Sequence, residues 1–250
     1  VWTLDRNAAP PRWRQDPELE GARLCFSTRR GGCSAAPYDE LNLGRSSGDA
    51  HDAVAENRRR LLGGIGLDPG TLATAGQVHG AVVRTVASPG HVPECDALVS
   101  TTPGLAIAVS AADCIPILFA APGGVAAAHA GWRGIVAGIP EAAVDRLIEA
   151  TGCAPAGVTA HLGPCIRSCC FRVGPDVAER FPSRFVHSLN DSLHVDLPGA
   201  ARRRLLDRGL PPDAIHDVGA CTSCERTWYY SYRRDRGRTG RLWGVAARLR

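Results

Sequence analysis

Apolar positions along this chain gather into short runs bounded by glycine, proline and polar turns, and only rarely into long helical stripes. Runs of this kind read as buried strands. ARLCFSTR, TLATAGQVHG, AVVRTVA, LAIAVS, IPILFAA and VAAAHA fit that pattern, as do GVTAHLG, HVDL, AIHDVGA, TWYYSYR and RLWGVAARL further on. TLATAGQVHG and AVVRTVA meet at Gly80. Helical spacing predicts a helix through AHDAVAENRRRLLGGIG, with Asp49 placed as its cap. A second helical pattern covers residues 134–150 and stops at Gly152. Pro140 lies inside it and predicts a kink or two short helices. PDVAERF and GAARRRLLDRG are shorter candidates. The polar, proline-bearing residues 1–20 read as an arm on the surface, and RGGCSAAPYDELNLGRSSGD as a long glycine-rich loop. Without repeats or low-complexity linkers, the simplest architecture is one α/β domain with a mixed sheet or two packed sheets.

The longest apolar run, Gly104 to Ala121, reaches transmembrane length, but Asp113 and Pro116 interrupt it. It reads as two buried strands joined at a polar corner. IPILFAA and VAAAHA flank a Pro-Gly-Gly turn, which predicts a hairpin folded about residues 121–124. That fold brings Cys114 within one or two positions of facing His129. Directly opposed residues have Cβ atoms about 5 Å apart, close enough to share a metal or a proton. A slip of one residue would send them to opposite faces. His79 ends another strand before a glycine, and by itself reads as a structural histidine rather than a ligand.

Composition narrows the chemistry. All 29 basic residues are arginine, which removes P-loop and Schiff-base lysines and leaves phosphate contacts to arginine, backbone N–H groups or a metal. A net charge of +4 is too mild to imply a nucleic-acid or membrane partner. Ten cysteines in 250 residues, without a secretory apolar segment near the start, point to reduced thiols in the cytoplasm. Met is absent even at position 1, which suggests a trimmed start.

The motifs FSTRRGG, PYDELNLG, GDAHDAVAENR, GQVHG, CDALVS, AADCIPILF, AAHAGWRG, LGPCI, FRVGPDV and YYSYRRD closely resemble the YfiH-like family, also called the laccase-domain or polyphenol oxidase family. The resemblance runs in order from about residue 24 to the C-terminus, so the chain reads as a single domain over residues 1–250. It implies an α-β-β-α sandwich and a zinc-dependent purine nucleoside phosphorylase, acting on adenosine, inosine, guanosine and methylthioadenosine with phosphate, that also deaminates adenosine. It further implies that His79, Cys114 and His129 are the metal ligands.

That chemistry is sound on its own terms. Two histidines and a cysteine suit zinc and leave a fourth position open. Asp113 is a candidate general acid–base, or equally a corner residue holding backbone N–H groups. Arg133, beside His129 at a helix start, is a candidate catalytic residue and phosphate ligand. Arg29 and Asn42 are candidate substrate contacts, against the plainer readings of a solvated loop charge and a turn residue. Cys165, Cys169, Cys170, Cys221 and Cys224 hint at a structural metal, but the irregular C-x₃-C-C spacing favours buried or incidental thiols. Ser46, in GRSSG, reads as a loop residue despite matching a nucleophile pattern. The basic run SYRRDRGRTGR reads as a solvated hairpin turn. Four alternatives remain open: a metal-free hydrolase using Cys114, a copper polyphenol oxidase, an enzyme editing cell-wall peptidoglycan precursors, and a non-catalytic nucleotide- or metal-binding module. The eight histidines include no His-x-His pair, which argues against multicopper chemistry. The expected partners are purine nucleosides and phosphate.

Overall fold

A computed structural model describes residues 1–17 and 19–249. The chain begins with β1 (Trp2–Asp5), β2 (Arg12–Gln15), β3 (Ala22–Ser27) and α1 (His51–Gly64). Next come β4 (Leu72–Ala75), β5 (Val83–Thr85), β6 (Gly90–Val92), β7 (Ala97–Ser100) and β8 (Ala106–Ala111). The hairpin β9 (Ile115–Ala121) and β10 (Gly124–Ala130) leads into α2 (Trp132–Ala137) and α3 (Ile139–Thr151). After them lie β11 (Thr159–Leu162), β12 (Arg172–Val173), α4 (Pro175–Ala178), β13 (Val186–Leu189) and β14 (Ser192–Val195). The last elements are α5 (Leu197–Asp207), β15 (Ile215–Asp217) and β16 (Leu242–Arg248).

The strands form two large mixed sheets and a small one. The first runs β1-β2-β3-β16-β8-β4-β6, so β16 sits at its centre between β3 and β8. The second runs β15-β11-β9-β10-β7-β5, and β12-β14-β13 form the third. Strand alternation sorts the apolar side chains into three layers. Phe26, Ile107, Val109, Leu118, Val125 and Ala127 fill the space between the large sheets. Leu61 and Leu62 of α1 cover the outer face of the first, against Ala106, Ala108, Trp243 and Val245. Val144, Leu147 and Leu205 of α3 and α5 cover the second, against Ile117, Phe119, Ala126 and Ala128. This is the α-β-β-α sandwich the resemblance implies.

The hairpin folds where the sequence places it: Gly124 pairs with Ala121, and His129 with Pro116. The segment around Pro140 resolves into two helices parted by Gly138, whose φ of +92° is a left-handed conformation that glycine adopts freely. The helix starts at Trp132, ahead of the expected position. Three local readings are corrected. Asp49 makes no side-chain cap on α1; Ala50 is the N-cap residue, and the Asp49 carboxylate is held by Asn42 Nδ2 at 2.9 Å. TWYYSYR forms turns, with Tyr229 and Tyr230 fully buried. The first twenty residues supply β1 and β2, which pair along the first sheet's edge. Among the described residues, no helix is long and apolar enough to cross a membrane.

Candidate active site

His129 is the penultimate residue of β10 and points, like Val125 and Ala127, towards the space between the sheets. Cys114 lies one residue ahead of β9, on the same face as Pro116, the partner of His129. The two are therefore diagonal neighbours. His79 arrives from the segment linking β4 in the first sheet to β5 in the second. Its ring meets that of His129 edge-on at 4.8 Å between centroids. One ligand atom from each of His79, Cys114 and His129 falls within 4.8 Å of the others.

The loop carrying His79 is held from both sides. Gln77 Nε2 donates to Ser110 O at 2.6 Å, and its Oε1 accepts from Ser110 N at 2.8 Å, tying the loop to β8. On the second sheet the buried Asp96 carboxylate accepts Val78 N–H (3.1 Å), His79 N–H (2.9 Å) and Gly80 N–H (2.7 Å). It also bonds His129 Nδ1 at 2.9 Å. These bonds sustain left-handed backbone at Gln77 (φ +58°) and His79 (φ +63°), which costs a side-chain-bearing residue about 1 kcal/mol or more.

The donor set passes a chemical test for a metal. Asp96 occupies His129 Nδ1, so Nε2 is the nitrogen left to coordinate, in the carboxylate–histidine arrangement that orients metal ligands. Burial pushes the Cys114 thiol up, but His129 and His79 beside it outweigh that and bring it down to about 6. Burial likewise pushes His129 down, yet Cys114 and Asp96 carry it up to about 9. Gly131 leaves the needed room: a Cβ there would stand 2.9 Å from Cys114 Sγ and 3.2 Å from His79 Cδ2. Two nitrogens and a thiolate fit a borderline-soft divalent ion and leave one position free.

The three residues open into a cavity of about 820 Å³. Arginines 45, 58, 133, 233 and 241 line it, with the aromatic rings of Phe171, Tyr232 and Trp243. Arg133 is exposed and lies over the Trp132 ring, 4.4 Å from its centroid. Its helix, α2, is only six residues long, so any affinity for anions rests on the guanidinium. Arg58 is fixed by Leu43 O and by the Trp243 ring at 4.5 Å, and burial lowers its pKa to about 10.

The other expected residues are placed differently. Asp113 lines the cavity at φ +90°, with Oδ1 accepting Thr222 Oγ1–H at 2.6 Å and Oδ2 accepting Arg233 N–H at 2.7 Å. That is the corner arrangement, and both oxygens are in use. Arg29 lies outside the cavity wall; its guanidinium bonds Asp39 at 3.0 Å and stacks 4.7 Å over Tyr230. Asn42 is fully buried, bonding Ser47, Asp49, Gly44 N and Arg241 N, so it braces the loop beneath the cavity without lining it. Asp96, the brace of the whole site, has no role in the sequence reading, although CDALVS is among its motifs. Its signal is an acidic residue opening an otherwise apolar strand.

Residues 23–248 match the family model described as multi-copper polyphenol oxidoreductase laccase. The chain belongs to this family. Among laccase-domain relatives, purine nucleoside phosphorylase YfiH of Escherichia coli is 40% identical over 242 residues, spanning 93% of this chain and 95% of its own. The purine nucleoside phosphorylase of Deinococcus radiodurans is 41% identical over 226 residues, spanning 88% and 87%. Two crystal structures share the fold. YfiH of Bacillus licheniformis superposes with a TM-score of 0.92 at 30% identity, covering 100% of this chain and 99% of its own. YlmD of Geobacillus stearothermophilus gives 0.89 at 33%, covering 96% of each.

Proposed function

We propose that this protein is a zinc-dependent purine nucleoside phosphorylase that also deaminates adenosine. The observation carrying this reading is the convergence of His79, Cys114 and His129 at the wall of an arginine-rich cavity. Relatives about 40% identical bear the phosphorylase name. When bound, zinc supplies an acidified water or a Lewis acid at neutral pH. The protein's residues do the rest. Arg133, which forms no ion pair among the described residues, receives phosphate, since a guanidinium can hold two of its oxygens at once. Phe171 and Tyr232 offer ring faces to a purine. Asp113 positions Arg233 and Thr222. Asp96 holds His129 in the tautomer that frees Nε2. Adenosine and phosphate then give adenine and ribose 1-phosphate, while adenosine and water give inosine and ammonia.

One geometric feature favours a second reading. Asp96 bonds His129, and Cys114 lies beside that ring with its thiol pKa brought down to about 6, the arrangement of a cysteine hydrolase. Copper oxidation has less support, because the two histidines of the cluster supply a single centre. The deciding experiment is metal analysis combined with chromatography of products from adenosine, with and without phosphate. Adenine with phosphate, inosine without it, and loss of both activities in Cys114→Ser or after chelation support the proposal. Turnover that survives the chelator but not an alkylating agent assigns the site to a thiol hydrolase.

A further inference from the structure

The structure gathers a second group of soft ligands at which the sequence spacing only hints. Cys169 and Cys170 lie between β11 and β12, and Cys221 and Cys224 lie in the turn after β15. Parallel pairing of β11 with β15 aligns these two segments. Beyond the paired strands they stay in register through a parallel bridge between Cys165 and Cys221, with Thr222 N–H donating to Cys165 O at 3.0 Å. All four sulfurs lie within 4.8 Å of one another. From Cys169 Sγ the separations are 3.8 Å to Cys170, 3.7 Å to Cys221 and 3.7 Å to Cys224; Cys170 and Cys224 are 3.3 Å apart.

We propose that Cys169, Cys170, Cys221 and Cys224 form a structural tetrathiolate site for one zinc ion. Four thiolates at zinc's usual bond length of about 2.3 Å stand at the corners of a tetrahedron with edges of about 3.8 Å. Three of the four separations match that edge within about 0.1 Å, and the fourth needs only a small opening. The sulfurs enclose room for one ion and not for a multi-iron cluster. The Arg167 guanidinium is committed to Asp217. Four thiolates held this close need a cation between them, and a divalent ion meets that need.

The site would staple two walls of the catalytic cavity. Ile166 and Phe171 flank the first cysteine pair, and both line the cavity. Ile166 N–H donates to Asp113 O, and Thr222, between the second pair, donates to the Asp113 carboxylate. A metal here would therefore fix the corner from which Cys114 projects, without touching substrate.

The test is metal stoichiometry by mass spectrometry on the full chain, purified under reducing conditions and equilibrated with zinc. Wild type should bind two equivalents. Cys114→Ser should retain one. Cys221→Ser with Cys224→Ser, and separately Cys169→Ser with Cys170→Ser, should each lose one and keep the other. Replacement with cobalt(II) gives a second readout: wild type should show strong sulfur-to-cobalt charge transfer and tetrahedral ligand-field bands. Cys114→Ser should keep most of that charge transfer. One equivalent in wild type, disappearing entirely in Cys114→Ser, would overturn the proposal. So would four freely titrating thiols in zinc-equilibrated protein, or a Cys170–Cys224 disulfide.

Discussion

Replacing Asp96 with asparagine is the sharpest test of how the candidate site is held. The exchange keeps side-chain shape, so no cavity opens. Each carboxylate oxygen accepts two donors: Val78 N–H and Gly80 N–H on one, His79 N–H and His129 Nδ1–H on the other. An asparagine has a single acceptor oxygen, so whichever way it faces, its NH₂ confronts two donors. Two charge-assisted bonds are lost, at about 1.5–3 kcal/mol each in a buried setting, for a total of about 3–6 kcal/mol. A chain of this size loses about 2–4 °C of melting temperature per kcal/mol, so Asp96→Asn should melt at least about 6 °C lower. Released from Asp96, the left-handed turn at His79 relaxes, and His129 loses the partner that orients its ring. Metal affinity should then fall about 10- to 100-fold, the usual cost of losing such an outer partner. Thermal unfolding followed by circular dichroism reads the first effect. Competition against a chromophoric chelator reads the second. A melting temperature within about 2 °C of wild type, together with unchanged metal affinity, would refute the brace.

Further outcomes follow from other positions. Gly131 has φ −75° and ψ 170°, angles an alanine accepts, so Gly131→Ala should act only through its Cβ against Cys114 and His79; we expect metal affinity about tenfold weaker, and unchanged affinity would show the contact to be harmless. For the proposed pair of reactions, Arg133→Gln should lower adenine release about 100-fold more than inosine formation at equal metal occupancy, because only phosphorolysis needs the anion; a parallel fall assigns Arg133 to the nucleoside or the fold. His161 is buried with a pKa pushed down to about 3, first by burial and then by His216, which stacks on it at 4.9 Å. The unfolded chain therefore takes up a proton that the folded chain refuses, and this stability, full above about pH 6.5, is lost as pH falls through the window towards 3, amounting to about 2 kcal/mol by pH 5. His161→Gln should narrow the gap in melting temperature between pH 7 and pH 5, and an unchanged gap would place the acid sensitivity elsewhere.

What the chain reveals before folding depends on how locally each feature is encoded. The β9–β10 hairpin is legible because its turn and both apolar strands are contiguous, and the diagonal of Cys114 and His129 follows from strand alternation alone. His79 is legible only through family motifs, since nothing local says that β4 and β5 enter different sheets. Asp96 escapes because its four donors come from residues 78–80 and 129. Arg29 and Asn42 mislead for a related reason. Both are polar groups in glycine-rich sequence, but their partners, Asp39 and Tyr230 for one and Ser47, Asp49 and Arg241 for the other, satisfy them away from the cavity. TWYYSYR has the β-branched and aromatic character of a strand, yet Arg234 caps the carbonyls of Thr222 and Tyr229 at 2.7 and 2.9 Å, and that side chain replaces a neighbouring strand. The four clustered cysteines are only hinted at by spacing, which reads as incidental thiols for want of the β11–β15 pairing that brings them together.

The central position of β16 has a consequence for synthesis on the ribosome. Its neighbours β3 and β8 are made long before it, and neither pairs with the other. Until Leu242–Arg248 leaves the exit tunnel, the first sheet exists as two separate pieces, each presenting an unpaired edge to other nascent chains. The cavity is equally incomplete, because Arg241 and Trp243 arrive with the same segment. Final closure therefore waits for this late segment, which joins strands made far earlier in the chain. A stall or truncation before residue 242 should yield an aggregation-prone chain for chaperones to hold, never a shorter chain with a complete cavity.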